Sequence, residues 1–334
     1  MEGRHGASDA ADGDGEGGTR RDHWHGRHYQ GSRARPRRLS APARRPRRQP
    51  LLEVRGEERH ALARSRRRLC QPQATRPRAR QGVTVRRYDA IFFDLFDTLV
   101  HFDRERLPQI DLDGRTIRST AGCLHALLQP HAPSVSLAQC YDALAASWKE
   151  AERLRAIDHR EVGAPERFRD FFSRLALEHA TLSPDLATVL IEAHKAELSK
   201  AASFPPHYGP LLRRLAAHYR LAVVSNFDYT PTATGILEAA GVLHLFAAVI
   251  VSDAVGWRKP RADIFRRALV ATGADPARTL FVGDRADIDV EGAHRVGMDA
   301  AWINPAREPL PEGIAPPEYE IRDLIDLEPI LGLQ

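Results

Sequence analysis

The chain has 334 residues, 43% of them hydrophobic, enough for more than one domain around a sizeable buried core. Its formal net charge of +5 is unevenly placed: residues 1–87 hold 23 Arg, no Lys and nine acidic residues, a net of +14, so residues 88–334 carry −9. No 18-residue apolar run occurs and no apolar signal core lies within residues 1–87, which excludes a membrane-spanning helix and leads to the expectation of a cytoplasmic protein without membrane partners.

Residues 1–87 begin Gly-rich and continue as Arg/Pro runs such as Arg33-Ala-Arg-Pro-Arg-Arg38, with few apolar residues and no sustained periodicity. Such a segment cannot bury enough surface to offset its ordering entropy, so a disordered tail is expected. It is the one feature that could engage nucleic acid, and a solvated tail or an over-extended gene start are the plainer readings. Met occurs at positions 1 and 298, so an internal start would have to use Val83 or Val85. Cys70, Cys123 and Cys140 show no CxxC spacing, which leaves no disulfide framework or zinc site to expect. Cys123 and Cys140 are read as small apolar packing residues.

The first element is a strand over Ala90–Phe93, a short β-forming apolar run of the kind buried on both faces of a parallel sheet. It runs straight into Asp94-Leu-Phe-Asp97-Thr98. Asp94 therefore stands at the carboxyl end of a strand, the edge where open α/β sheets bind ligands. A carboxylate there can be a cap, a metal ligand or a nucleophile.

Residues 101–112 read as a hairpin or loop. Helices are then predicted over 117–129, 136–156, 165–180 and 183–201, with Ser136 and Ser183 as N-caps. After Phe204-Pro-Pro206 the pattern alternates: helix 208–217, strand 219–225, helix 230–239, strand 247–252, helix 260–271, strand 279–283, helix 289–296 and strand 299–303. Gly241, Gly273 and Gly297 fall just past helix ends, as C-capping glycines do. The expected fold is a Rossmann-like α/β core with five parallel strands over 88–104 and 205–334, carrying an all-helical domain inserted at 105–204.

Three further strand ends carry polar residues. Ser225-Asn226 could hold an oxyanion or cap the next helix. Lys259, one of four lysines in a chain that otherwise uses Arg, could serve a carboxylate site or lie in solvent. Asp284, with Asp287 and Asp289 close behind, crowds carboxylates that a cation would have to neutralise, and oxygen ligands suit Mg²⁺. Asp289 could also cap a helix.

In that order, Asp94-Leu-Phe-Asp-Thr98, Ser225-Asn226, Lys259-Pro260 and Gly283-Asp284 with Asp289, the chain resembles the haloacid dehalogenase (HAD) superfamily of hydrolases over 88–334. The resemblance implies the helical insert as a cap and Asp94 as a nucleophile forming an aspartyl-enzyme intermediate, with Thr98 supporting the turn. It implies Ser225 and Asn226 on the transferring group and Lys259 holding Asp94 and the substrate oxygens. Mg²⁺ would be bound by Asp94, Asp284, Asp289 and the backbone carbonyl of Phe96. Phosphatases of that family carry a second Asp, the acid/base, where this chain has Phe96. The reaction expected is nevertheless hydrolysis of a small phosphomonoester. A 2-haloacid dehalogenase-like enzyme or a catalytically weak binding protein are the alternatives. Arg118 and Ser119, expected early in the first inserted helix, are guesses for substrate contact.

Overall fold

A computed structural model describes residues 88–177 and 184–333. The tail with Cys70, and Ser183 with its expected cap, lie outside the described residues.

The first strand, β1 (Ala90–Phe93), has all four side chains fully buried because it runs through the middle of the sheet. Beyond it come β2 (His101–Phe102), β3 (Gln109–Leu112) and β4 (Arg115–Arg118). Four helices follow: α1 (Ala121–Leu128), α2 (Leu137–Asp158), α3 (Ala164–Arg174) and α4 (Pro184–Ala201). Next are β5 (Ala202–Ser203), α5 (Tyr208–Ala216), β6 (Arg220–Ser225), α6 (Thr230–Ala239), β7 (Phe246–Val251), α7 (Ser252–Val255) and α8 (Ala262–Thr272). The chain closes with β8 (Thr279–Gly283), a π-helical turn Ala286–Val290, α9 (Glu291–Arg295), β9 (Asp299–Ile303), β10 (Tyr319–Ile321) and α10 (Leu327–Leu331).

Six strands, one more than expected, form a wholly parallel sheet in the order β10-β9-β8-β1-β6-β7. The extra strand, Tyr-Glu-Ile, is short and follows a Pro-rich stretch, so it has no apolar run to announce it. Period-two alternation splits β1 between the faces: Ile91 and Phe93 join a core with Leu211, Leu215 and Leu237, while Ala90 and Phe92 join one with Ile264, Phe265 and Ala293. The insert has its own apolar core, in which Phe168, Phe171 and Phe172 of α3 pack against Leu124, Leu144 and Leu190. At its second helix Ser136 and Gln139 form a capping box, side chain to backbone at 3.2 and 2.8 Å.

Two expectations about the insert change. It is not all helical, because β3 and β4 pair as an antiparallel hairpin and β2 pairs with β5. The first helix starts at Ala121, so Arg118 ends a strand and Ser119 precedes the helix. In the core, the predicted helix 260–271 begins only at Ala262, with Arg261 extended as its N-cap and Pro260 ahead of it. Gly241, Gly273 and Gly297 all have positive φ, as helix-ending glycines do. No helix among the described residues is long and apolar enough to cross a membrane.

Candidate active site

β1 lies between β6 and β8, so the carboxyl ends of three neighbouring strands present Asp94, Ser225 and Asp284 at one edge of the sheet. The Asp94 N–H donates to the Val282 carbonyl at 2.9 Å, continuing the ladder by one residue. The chain then turns sharply. The Leu99 and Val100 N–H groups both donate to the Leu95 carbonyl at 2.9 Å, and Asp97 takes a left-handed φ of 56°. Asp is among the few non-Gly residues that adopt that conformation readily. The Asp97 side chain is exposed and accepts from the Phe102 N–H. Thr98 is buried inside the turn, and its hydroxyl has no hydrogen-bond partner.

Lys259 is carried in from the loop ahead of α8. Its Nζ lies 2.7 Å from Asp94 Oδ1 and 2.8 Å from Asp289 Oδ1, with the side chain almost wholly buried. Burial disfavours the ammonium, but the Asp289 and Asp94 carboxylates outweigh it and raise the Lys259 pKa above its ordinary value. The loop is held by Asn226, whose Oδ1 accepts from the Lys259 N–H at 2.7 Å while Nδ2 donates to the Lys259 carbonyl at 3.0 Å. The Asn226 carboxamide is thus spent on the main chain of the lysine. Ser225 beside it is buried with an unpartnered hydroxyl.

Asp289 sits on the π-helical turn and accepts from the Arg285 N–H at 3.1 Å. A Cβ at Gly283 would come within 2.4 Å of its carboxylate, so a glycine at the end of β8 is what lets Asp289 reach the site. Trp302 Nε1 anchors the Asp284 carbonyl at 2.8 Å. Asp287 is committed to a fork with Arg285, at 2.9 and 2.7 Å.

Ligand oxygens of Asp94, Asp284 and Asp289 all lie within 4.8 Å of one another. Burial, then Asp94 and Asp289, push the Asp284 carboxyl well above the usual carboxylate range. Burial raises Asp289 to about 6 even with Lys259 opposing. One ammonium therefore does not balance three carboxylates at this strand edge. A hard divalent cation fits this all-oxygen set, with water completing its shell.

The ring of Phe96 packs against Phe227, centroids 4.9 Å apart and planes tilted by 43°, and meets Phe102 edge-on at 6.3 Å. Arg118 and Ser119 find their partners elsewhere: Arg118 reaches the Leu107 carbonyl at 3.1 Å and Glu105 at 3.4 Å, and Ser119 Oγ accepts from Ala121 N–H.

A family profile of haloacid dehalogenase-like hydrolases matches residues 88–297. The chain belongs to that family. Among characterised relatives, this HAD hydrolase is 34% identical to the phosphoserine phosphatase of Thermus thermophilus over 158 residues, 47% of this chain and 62% of that one. It is 34% identical to the glyceraldehyde 3-phosphate phosphatase of Methanothermobacter thermautotrophicus over 119 residues, 36% of this chain and 52% of that one. It thus spans between half and two thirds of the lengths of these relatives. The crystal structure of a 2-haloacid dehalogenase from Pseudomonas syringae superposes with a TM-score of 0.53 at 24% identity, covering 73% of this chain and 98% of that one, which shows a shared fold.

Sequence reasoning missed a set of buried charges where the insert meets the core. Lys195 of α4 pairs with Asp228, just beyond β6, and Arg167 of α3 lies 3.5 Å from the same carboxylate. Arg167 Nη2 donates to His194 Nε2 at 2.6 Å, and burial keeps that imidazole neutral. The signal was in the lysines: two of the chain's four, Lys195 and Lys259, are buried.

Proposed function

We propose that this HAD hydrolase is a Mg²⁺-dependent phosphatase acting on a small phosphomonoester, with the helical insert as its cap. The observation that carries the reading is the crowding of Asp94, Asp284 and Asp289 around Lys259, which calls for a cation that could in turn receive an anionic substrate. The names of the two phosphatase relatives favour the same reaction.

In this reading Asp94, Asp284, Asp289 and the Phe96 carbonyl would hold Mg²⁺, which when bound would lower the cost of bringing a phosphate to a carboxylate nucleophile. Asp94 attacks phosphorus and the ester oxygen leaves, giving an aspartyl-phosphate that water then hydrolyses. Lys259 orients Asp94 through its 2.7 Å contact and offers its remaining donor capacity to phosphoryl oxygens. The buried hydroxyls of Ser225 and Thr98 lack partners in the protein; Ser225 is assigned to an oxyanion and Thr98 to the turn that carries Asp94. Asn226 acts through the lysine it grips.

A second reading, displacement of halide from a 2-haloacid by Asp94, is favoured by the aromatic wall of Phe96, Phe227 and Phe102, which supplies no proton to a leaving group. A panel of phosphomonoesters and 2-haloacids, assayed with Mg²⁺ and with chelator, separates the two. Mg²⁺-dependent phosphate release that Asp94→Asn abolishes without unfolding the protein is the expected result. Halide release insensitive to chelator would establish the second reading, and near wild-type turnover by Asp94→Asn would end both.

A further inference from the structure

The loop joining α2 to α3 brings one carboxylate, Glu161, into the core face of the molecule, with its side chain 1% exposed. A carboxylate so buried is tolerated only with a full set of partners. Glu161 has four. Arg155 of α2 lies 2.8 Å away, and the loop's own Val162 N–H donates at 2.9 Å. The other two come from the core: Arg258 Nη1 at 2.7 Å and the hydroxyl of Ser252.

The main chain around it makes the same connection. Glu161 N–H donates to the Gly256 carbonyl and Arg258 N–H donates to the His159 carbonyl, each at 2.9 Å, forming a short antiparallel bridge between Arg160 and Trp257. That bridge ends one residue before Lys259. On its other side, Ser252 Oγ accepts from the Phe227 N–H at 3.0 Å, and Phe227 follows Asn226, whose carboxamide grips the Lys259 main chain. Both loops that frame the lysine are thereby tied to one glutamate of the insert.

We infer that Glu161 is a positioning residue that couples seating of the helical insert to placement of Lys259 against Asp94. With the insert unseated, Arg258 and Ser252 lose their carboxylate and the two main-chain bonds open, so the segment 256–259 keeps its core contacts, Asn226 on the Lys259 main chain, Gly256 N–H on the Ser252 carbonyl and the Lys259 ion pairs, but loses the bridge that fixes it to the insert. The lysine is then in place when the insert has closed over the substrate. The inference rests on the reading of Lys259 as the partner of the nucleophile.

The test compares Glu161→Gln, Arg258→Met and the double variant in the full chain, using p-nitrophenyl phosphate with Mg²⁺ and hydrogen exchange of residues 256–259. The expected result is a kcat lowered roughly 10–100-fold by either substitution with KM within about twofold, as for displaced supporting groups. The double variant should be no slower than the slower single one, and exchange at 256–259 should rise in all three. Arg258 is partly exposed, so its variant carries the test if Glu161→Gln does not fold. Unchanged kcat, or effects that multiply in the double variant without faster exchange at 256–259, would overturn the inference. Should the wild-type protein not hydrolyse the ester, the phosphatase reading falls and exchange alone decides: faster at 256–259 supports the coupling, unchanged removes it.

Discussion

Phe96 stands two residues after Asp94, where the phosphatase pattern carries its acid/base Asp. Its ring belongs to a cluster with Phe227 and Phe102, so the position supplies apolar surface where an acid/base would supply a proton. Phe96→Asp should therefore speed turnover of alkyl phosphates, whose leaving groups need protonation, by up to ~10²-fold, and change p-nitrophenyl phosphate little. Loss of the ring contacts should cost ~1–3 kcal/mol, so rates are to be compared at temperatures where circular dichroism shows both proteins folded. No preferential gain in a folded variant would show that position 96 is not where the missing proton belongs. At this scale the sequence was most legible where main-chain geometry fixes the side chain. Asp94, Ser225, Asp284 and Asp289 follow directly from strand ends and the turns after them. Asn226 was read as a substrate ligand because spacing cannot tell which group a carboxamide will meet. Arg118 and Ser119 are a related case: their partners lie within the insert and hairpin, and which insert residues face the site depends on how one layer lies on another.

Among the elements, α3 and α4 meet the loop after β6 through charges, not through the apolar stripe that their periodicity advertises. Asp228 is the centre of that contact. Burial would raise its carboxyl, but Lys195, then Arg167 and Arg155, outweigh burial and hold it well below the ordinary 3.8. A depressed carboxyl contributes stability that is present above 3.8 and is lost as pH falls towards the folded-state value. Denaturant midpoints should accordingly decline below about pH 4 in the wild-type protein and less steeply in Asp228→Asn. At neutral pH that variant should be destabilised by ~3–5 kcal/mol, because Lys195 and Arg167 keep buried charges without their anion. Equal acid slopes in the two proteins would count against the assignment. The helices themselves were legible because 3.6-residue periodicity and caps such as Ser136 are local. The β3–β4 hairpin was half legible. Asp113-Gly114, with φ of 54° and 75°, is a strong two-residue turn signal, yet the helical pattern was extended back to residue 117, over the second strand. The strand β10 has three residues and pairs only with β9 along its length, so it gains its place from the sheet and not from its own sequence.

On the scale of the whole molecule, the sheet order makes a liability of its own site. Putting β1 between β6 and β8 brings Asp94 and Asp284 to adjacent strand ends, and Gly283 admits Asp289 beside them, so the folded state concentrates three carboxylates against one ammonium. Unfolding separates those charges, so the fold carries a carboxylate repulsion that a cation, if bound as proposed, would relieve. A ligand that binds the folded state at 100 times its dissociation constant adds about 2.7 kcal/mol, which in a protein of this size raises Tm by roughly 5–10 °C. Mg²⁺ should accordingly raise the melting temperature of the wild-type protein, and chelator should reverse the change. Asp284→Asn supplies the contrast. Removing one of the repelling carboxylates should leave the metal-free variant melting at or above the metal-free wild type, while taking away most of the Mg²⁺ response. Calorimetry of both proteins with and without Mg²⁺ checks the pair of expectations together. A variant that melts lower without metal would mean Asp284 is a structural carboxylate, satisfied by the fold itself. A wild-type Tm indifferent to Mg²⁺ would mean that Lys259 alone balances the cluster, and the metal would have to be removed from the proposed chemistry.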